Sequence, residues 1–281
     1  MPRSLKIVLA SLFVLAVAFF VAKGCWRGGF AQKKAPVKVS VRKKTVPGPA
    51  QEKNPLPAPP AGEAKMAIIL DDWGNNLALV KDAVDIQRPL TLSVLPHLVH
   101  SREIAETAKK NGLGVMLHMP MQAKNAKAPA EPRTIQTTMP DTQILEYLDQ
   151  ALESVPEAEG VNNHQGSAAT SDERVMNTVL THLKSKGLFF VDSQVISTSV
   201  GRKTAVRIGI PFTHRDVFID NTPTVVAVKL RLAYAQKIAL AHGRVVIIGH
   251  DKKPTLQAIA EMVPELEKAG VKLVLVKELL E

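Results

Sequence analysis

The chain has 281 residues, 46% of them hydrophobic, enough to bury one large domain and a smaller appendage. Much of its net charge of +10 sits early: between Lys23 and Lys65 stand Arg27, Lys33, Lys34, Lys38, Arg42, Lys43, Lys44 and Lys53, with one acid, Glu52, before Glu63. The remainder is closer to neutral and shows no basic patch interleaved with aromatics, so no nucleic-acid partner is expected, and a single cysteine, Cys25, excludes an intramolecular disulfide.

Residues 1–25 read as a signal or membrane anchor. Ile7 to Ala22 is apolar and uncharged, follows Arg3 and Lys6, and is apolar on every face, unlike a buried globular helix. No small-x-small cleavage site follows, so an uncleaved anchor is favoured over a removable signal peptide. The shortness of the segment and the lysines after it argue the other way. Either reading places the rest of the chain in the periplasm or otherwise outside the cytoplasm, with the membrane as a partner. Residues 26–64 form a basic, proline-rich linker holding Pro36, Pro47, Pro49, Pro55, Pro57, Pro59 and Pro60, predicted to be a disordered, extended spacer.

From residue 65 to 281 short apolar runs alternate with helix-period segments, the rhythm of parallel strands joined by helices. Strands are predicted at Met66 to Leu70, Leu90 to Leu95, Gly114 to His118, Gly160 to Asn162, Leu188 to Val191, Ile208 to Phe212, Val245 to Ile248 and Val271 to Val276. Helices are predicted around 75–87, 100–111, 141–154, 171–186, 223–242 and 254–269, with Gly112, Gly187, Gly243 and Gly270 as stops. Seven or eight such units favour an α/β fold closed as a (β/α) barrel, with an open doubly wound sheet as the alternative. Residues 119–140 make a long polar connection, of the length that functional lids have.

Polar residues recur where the apolar runs end. Asp71 and Asp72 follow the first, His118 closes the third, Asn162, Asn163 and His164 follow the fourth, Asp192 the fifth, and His250 the run beginning at Val245. In a parallel barrel these ends surround one pocket. Asp72, His118 and His164 offer one carboxylate and two imidazoles, a ligand set for a divalent metal, zinc above all, with a position left open for water. Asp71 beside them is the candidate base and His250, titrating near neutrality, the candidate acid. The turn at Gly74 is expected to swing both aspartates into one pocket. The plainer alternative for the aspartate pair is a helix cap and turn.

The segment Leu70-Asp71-Asp72-Trp73-Gly74 resembles the Thr-Phe-Asp-Asp-Gly motif of the NodB-type polysaccharide deacetylases. Asn163-His164-Gln165-Gly166-Ser167 resembles their Asn-His-Thr-x-Ser-His segment, and Ile247-Ile248-Gly249-His250 resembles their last histidine-bearing strand end. With His118-Met-Pro-Met, Phe190-Val-Asp192-Ser and Arg215-Asp216-Val-Phe-Ile-Asp220, the whole of 65–281 resembles the divergent polysaccharide deacetylases. The resemblance implies a distorted (β/α) barrel, metal-dependent removal of acetyl groups from an acetylated glycan or cell-envelope polysaccharide, Asp71 as base, Asp72 and His164 as metal ligands, and His250 as acid.

Two departures accompany it. Ala168 stands where the motif has its second ligand histidine, and no arginine-proline-aromatic motif follows Asp192. Either His118 completes the shell from a neighbouring strand or metal binding is weakened. Asn163, Ser167, Asp192, Arg215 and Asp216 are expected to orient catalytic groups or grip sugar hydroxyls. The competing reading is a catalytically inactive glycan-binding or regulatory envelope protein on the same fold.

Overall fold

A computed structural model describes residues 63–125, 131 and 133–281. The expected anchor and all but the last two residues of the expected linker lie outside the described residues, as does part of the long 119–140 connection. Among the described residues no helix is long and apolar enough to cross a membrane.

The described chain folds as β1 (Ala64–Trp73), α1 (Ala78–Asp85), β2 (Thr91–Val94), α2 (Ser101–Lys110), β3 (Gly114–Met121), α3 (Asp141–Ser154), β4 (Gly160–Gln165), α4 (Glu173–Ser185), β5 (Phe189–Asp192), α5 (Gly201–Ile208), β6 (Phe212–His214), β7 (Val217–Phe218), α6 (Val225–His242), β8 (Arg244–His250), α7 (Lys253–Lys268) and β9 (Val271–Val274). The sheet runs β6-β5-β4-β3-β2-β1-β8-β7, with β9 against the start of β1, and every pairing is parallel. One extended stretch supplies both edges: Phe212 to His214 pair with β5, and Val217 and Phe218 pair with β8. The sheet therefore curls until its two ends meet on the same segment, giving the distorted barrel.

Each strand has two buried faces, as a parallel sheet covered by helices requires. Met66, Ile68 and Leu70 face outward into the layer between sheet and helices, together with Ile104, Leu148, Val179 and Ile259 from the helices. Ala67, Ile69, Met116, Val191, Val246 and Ile248 fill the barrel interior, closed below by Val276 and Leu279. The period of two continues up each strand, so the next inward positions are Asp71, His118, Ser193 and His250. Apolar packing fills the lower barrel and a polar layer crowns it.

Two sequence expectations need correction. The strand predicted at Ile208 to Phe212 begins only at Phe212, because Gly201–Ile208 is helical. That helix buries only Gly201, Thr204 and Ala205, so no stripe of large apolar residues marks it, and the apolar cluster at its end reads as a strand. The strand predicted through Val276 ends at Val274, and a single 3-10 turn, Val276–Leu279, folds under the barrel.

Candidate active site

Asp71 and Asp72 would point to opposite faces of a regular strand. They do not, because the register between β1 and β2 slips between Leu70 and Trp73 and Asp72 itself takes a left-handed backbone with φ 67°. Aspartate is one of the few residues with a side chain that tolerates this region. The bulge at Asp72, rather than the expected turn at Gly74, brings both carboxylates to the barrel mouth.

There Asp72 meets two histidines from adjacent strands. Asp72 Oδ1 lies 3.3 Å from His118 Nε2 on β3 and 3.1 Å from His164 Nδ1 on β4, and the two ring nitrogens are 3.1 Å apart. Ligand atoms around a tetrahedral zinc, with bonds of about 2.0–2.1 Å, are separated by roughly 3.3 Å, so this triangle has the dimensions of one face of such a site. Asp72 Oδ1 is buried and makes no hydrogen bond of proper geometry, despite these close neighbours. The outer nitrogens of both rings are engaged elsewhere: His118 Nδ1 donates to Asn162 Oδ1 at 2.7 Å, and His164 Nε2 faces Glu131 Oε1 at 3.3 Å. Their inner nitrogens are thus presented to Asp72, the arrangement that ligating histidines adopt. The residues fit a divalent cation. Ala168 offers no ligand, and His118 from the neighbouring strand is the second imidazole beside Asp72.

Burial and neighbours set the charges. Burial pushes the Asp71 carboxyl above the usual carboxylate range, against the opposing pull of His118 and a hydrogen bond from Asn162. Burial acts on Asp72 in the same direction, but the two histidines outweigh it and hold this carboxyl well below the usual range. Burial disfavours a charged His164, yet Asp72 and Glu131 prevail and hold its pKa up to about 10. The triangle is therefore a site of negative potential that calls for a cation, whether proton or metal.

His250 approaches from the other side, its Nε2 3.7 Å from Asp72 Oδ2. Its Nδ1 donates to Asp220 Oδ1 at 2.9 Å, while Asp220 Oδ2 accepts from the backbone N–H of His250 and from Thr255 Oγ1, each at 2.9 Å. The side chain of Asp220 is fully buried. Burial of the ring opposes protonation of His250, but the bond to Asp220 and its charge prevail and raise the pKa. Phe218 makes a T-shaped contact with this ring, and the Arg215 guanidinium lies over Phe218, 5.0 Å from its ring centre.

The remaining expected residues take other places. Arg215 donates to the carbonyls of Ser193 and Gln194 and so holds the turn after β5. Asn163 accepts from Ser193 N and donates to Gln165 O. Asp192 accepts from Gln194 N and Ser199 Oγ, Ser167 Oγ accepts from Lys124 N, and Asp216 accepts from Val246 N near the foot of β8. Most of these bonds fasten backbone, and none of these residues belongs to the triangle. Sequence reading named Asn162 at a strand end and Asp220 in a motif without giving either a role, and it passed over Glu131. The inward alternation of β4 could have singled out Asn162. The contact of Glu131 with His164 is tertiary and left no local sign.

Comparison with known proteins bears on the family and the fold. Residues 68–280 match the family model described as divergent polysaccharide deacetylase. The chain is 32% identical over 206 residues to an uncharacterized protein of Haemophilus influenzae, covering 72% of this chain and 73% of that one. It is 30% identical over 207 residues to the uncharacterized protein YibQ of Escherichia coli, covering 74% of this chain and 65% of that one. In fold it resembles the crystal structure of an uncharacterized protein from Agrobacterium tumefaciens, with a TM-score of 0.73 at 20% identity over 80% of this chain and 93% of that one. It also resembles a pseudoenzyme of carbohydrate esterase family 4 from Bacillus anthracis, with a TM-score of 0.50 at 13% identity over 78% and 66%. The family match spans well over half of the chain, and the chain belongs to the divergent polysaccharide deacetylase family.

Proposed function

We propose that the barrel is a metal-dependent hydrolase that removes acetyl groups from a carbohydrate polymer of the cell envelope. The observation that carries this reading is the triangle of Asp72 Oδ1, His118 Nε2 and His164 Nδ1, with sides of 3.1–3.3 Å, set between a buried carboxylate and a carboxylate-backed histidine. Asp72, His118 and His164 would hold the metal, zinc being the natural choice for this ligand set. When bound, a divalent ion supplies Lewis acidity to a carbonyl oxygen and to water.

The chain's own groups divide the proton work. Asp71, 3.6 Å from His118 Nε2 through its Oδ2, sits beside the triangle and takes the proton from the attacking water. Its raised pKa makes it a stronger base than a surface aspartate. His250, its pKa raised by Asp220 against the effect of burial, presents Nε2 to the opposite side and delivers a proton to the departing nitrogen or oxygen of the sugar. Two titrating groups held apart in role by environment are the usual sign of an acid and base pair. A half-enclosed cavity lined by Met121, Gln122, Thr134, Gln136 and Gln165 adjoins His164 and offers amide groups to a polar ligand such as a sugar. The N-terminal segments read from sequence would place the barrel outside the cytoplasm, tethered to the membrane through a spacer.

The test is elemental analysis of the purified chain together with acetate release from acetylated glycans. About one metal per chain and acetate release abolished in Asp71→Asn would support the proposal. A protein that takes up no zinc, cobalt or nickel would overturn it. Glycan binding without turnover by the metal-loaded protein would favour the inactive glycan-binding reading instead.

A further inference from the structure

One residue that sequence reading left unassigned joins the two halves of the site. Asn162, on β4, is fully buried. Its Oδ1 accepts from His118 Nδ1 at 2.7 Å and from Ser93 Oγ at 2.5 Å, while its Nδ2 donates to Asp71 Oδ1 at 2.9 Å and to Ser193 Oγ at 3.3 Å. Ser193 spends its own hydrogen on Asn163 O, so its oxygen is free to accept. A primary amide has two acceptor positions and two donor hydrogens, and all four are used. The Asp71 carboxylate fixes which end of the amide points where: reversed, the amide would face that acceptor with its oxygen instead of donating to it.

The geometry points to Asn162 as the positioning residue of this site, one amide that holds the base Asp71 and the ligand His118 in register with each other. Accepting from Nδ1 obliges His118 to carry its proton there and to turn the Nε2 lone pair toward Asp72. Donating to Asp71 Oδ1 steers the base carboxylate so that Oδ2 is the oxygen near His118 Nε2. The amide reaches His118 through Nδ1, away from the ligand atom Nε2, and Asp71 through Oδ1, so it acts through these two partners. β4 is suited to carry it, since Gly160, Asn162 and His164 share its inward face and β4 lies between β3, which bears His118, and β5, which Ser193 follows. This assignment rests on the hydrolase reading for the consequence to catalysis, but its structural claims stand without turnover.

Two substitutions separate positioning from bulk support. Asn162→Asp keeps an acceptor for His118 and Ser93 but removes the donor to Asp71, whereas Asn162→Leu removes both. In the full chain, zinc affinity measured by competition with a chromogenic chelator should fall about 10- to 100-fold in Asn162→Leu and be retained in Asn162→Asp. Nitrogen NMR should show His118 protonated at Nδ1 in the parent protein and in Asn162→Asp, and a mixture of tautomers in Asn162→Leu. For the other half, a side-chain amide proton of Asn162 should be slow to exchange and shift upfield in Asp71→Ala, a variant that leaves the amide in place. Equal zinc affinity in all three proteins, or equal loss in both Asn162 variants, would overturn the assignment to His118. An amide resonance indifferent to Asp71→Ala would overturn the assignment to the base. Should all these readouts follow expectation while no acetylated glycan is hydrolysed, the hydrolase reading fails and the positioning role stands.

Discussion

At Asp72, backbone conformation and chemistry depend on each other. A left-handed φ of 67° is unfavourable for most residues, and here it is what turns the carboxylate away from the outer layer and toward His118 and His164. Replacing Asp72 or His118 by alanine should remove stoichiometric metal, read by elemental analysis after dialysis, because two ligands do not hold zinc against buffer. A second expectation concerns Asp220. Burial pushes its carboxyl up, but His250 prevails and holds it below its ordinary value of 3.8, so its contribution to folding is present above that pH and is lost as pH falls through the folded value. His250 is held above its ordinary 6.5, so its contribution is complete below 6.5 and fades as pH rises through the folded value. The pair stabilises most between these limits. Asp220→Asn removes the charge that raises His250, so the alkaline limb of a pH–rate profile for acetate release should move to lower pH. An unmoved limb would show that His250 is not the acid.

At the scale of elements, the legibility of each piece follows from how local its cause is. The helix α4 begins at Asp172, whose side chain accepts from Val175 N at 2.9 Å, and Asp172→Ala should cost about 1 kcal/mol in chemical denaturation. The sequence predicted this helix over 171–186 because its first turn and apolar stripe are neighbours along the chain, and the structure places the cap at Asp172. Strand β4 is less tolerant than its short run implies: a Cβ on Gly160 would lie 2.3 Å from the Phe189 ring. Gly160→Val should therefore destabilise by roughly 1–3 kcal/mol, seen as a lowered midpoint, and disturb zinc affinity through Asn162 and His164 farther along the strand. The helix α5 and the two-residue β7 escaped sequence reading for a common reason. Small buried residues carry no apolar period, and two residues cannot display an alternation.

For the whole molecule, the ion is expected to be a structural tie as well as a reagent. Its ligands come from β1, β3 and β4, three separate parts of the chain, so a metal that binds only the folded state stabilises it by mass action. Zinc at 100 times its dissociation constant should add about 2.7 kcal/mol and raise the thermal midpoint, and the same addition to His164→Ala should leave its midpoint in place. No increase in the parent protein would contradict the site as described.

Much of this protein follows from the order of its residues. Alternating apolar runs and helix periods dictate parallel strands, and strand ends dictate where polar residues gather. Hence Asp71, Asp72, His118, His164 and His250 were legible as one constellation before any coordinates, since each stands at the end of a run that has to be buried. What the sequence could not supply is how neighbours separated by many residues meet. The slip of register at Asp72, the approach of His118 from the next strand to Asp72, the carboxylate of Asp220 behind His250 and the four hydrogen bonds of Asn162 depend on distances across the barrel. Periodicity fixes which face a side chain takes. Only the closing of the sheet on the segment from Phe212 to Phe218 fixes which side chains of different strands come to lie about 3 Å apart.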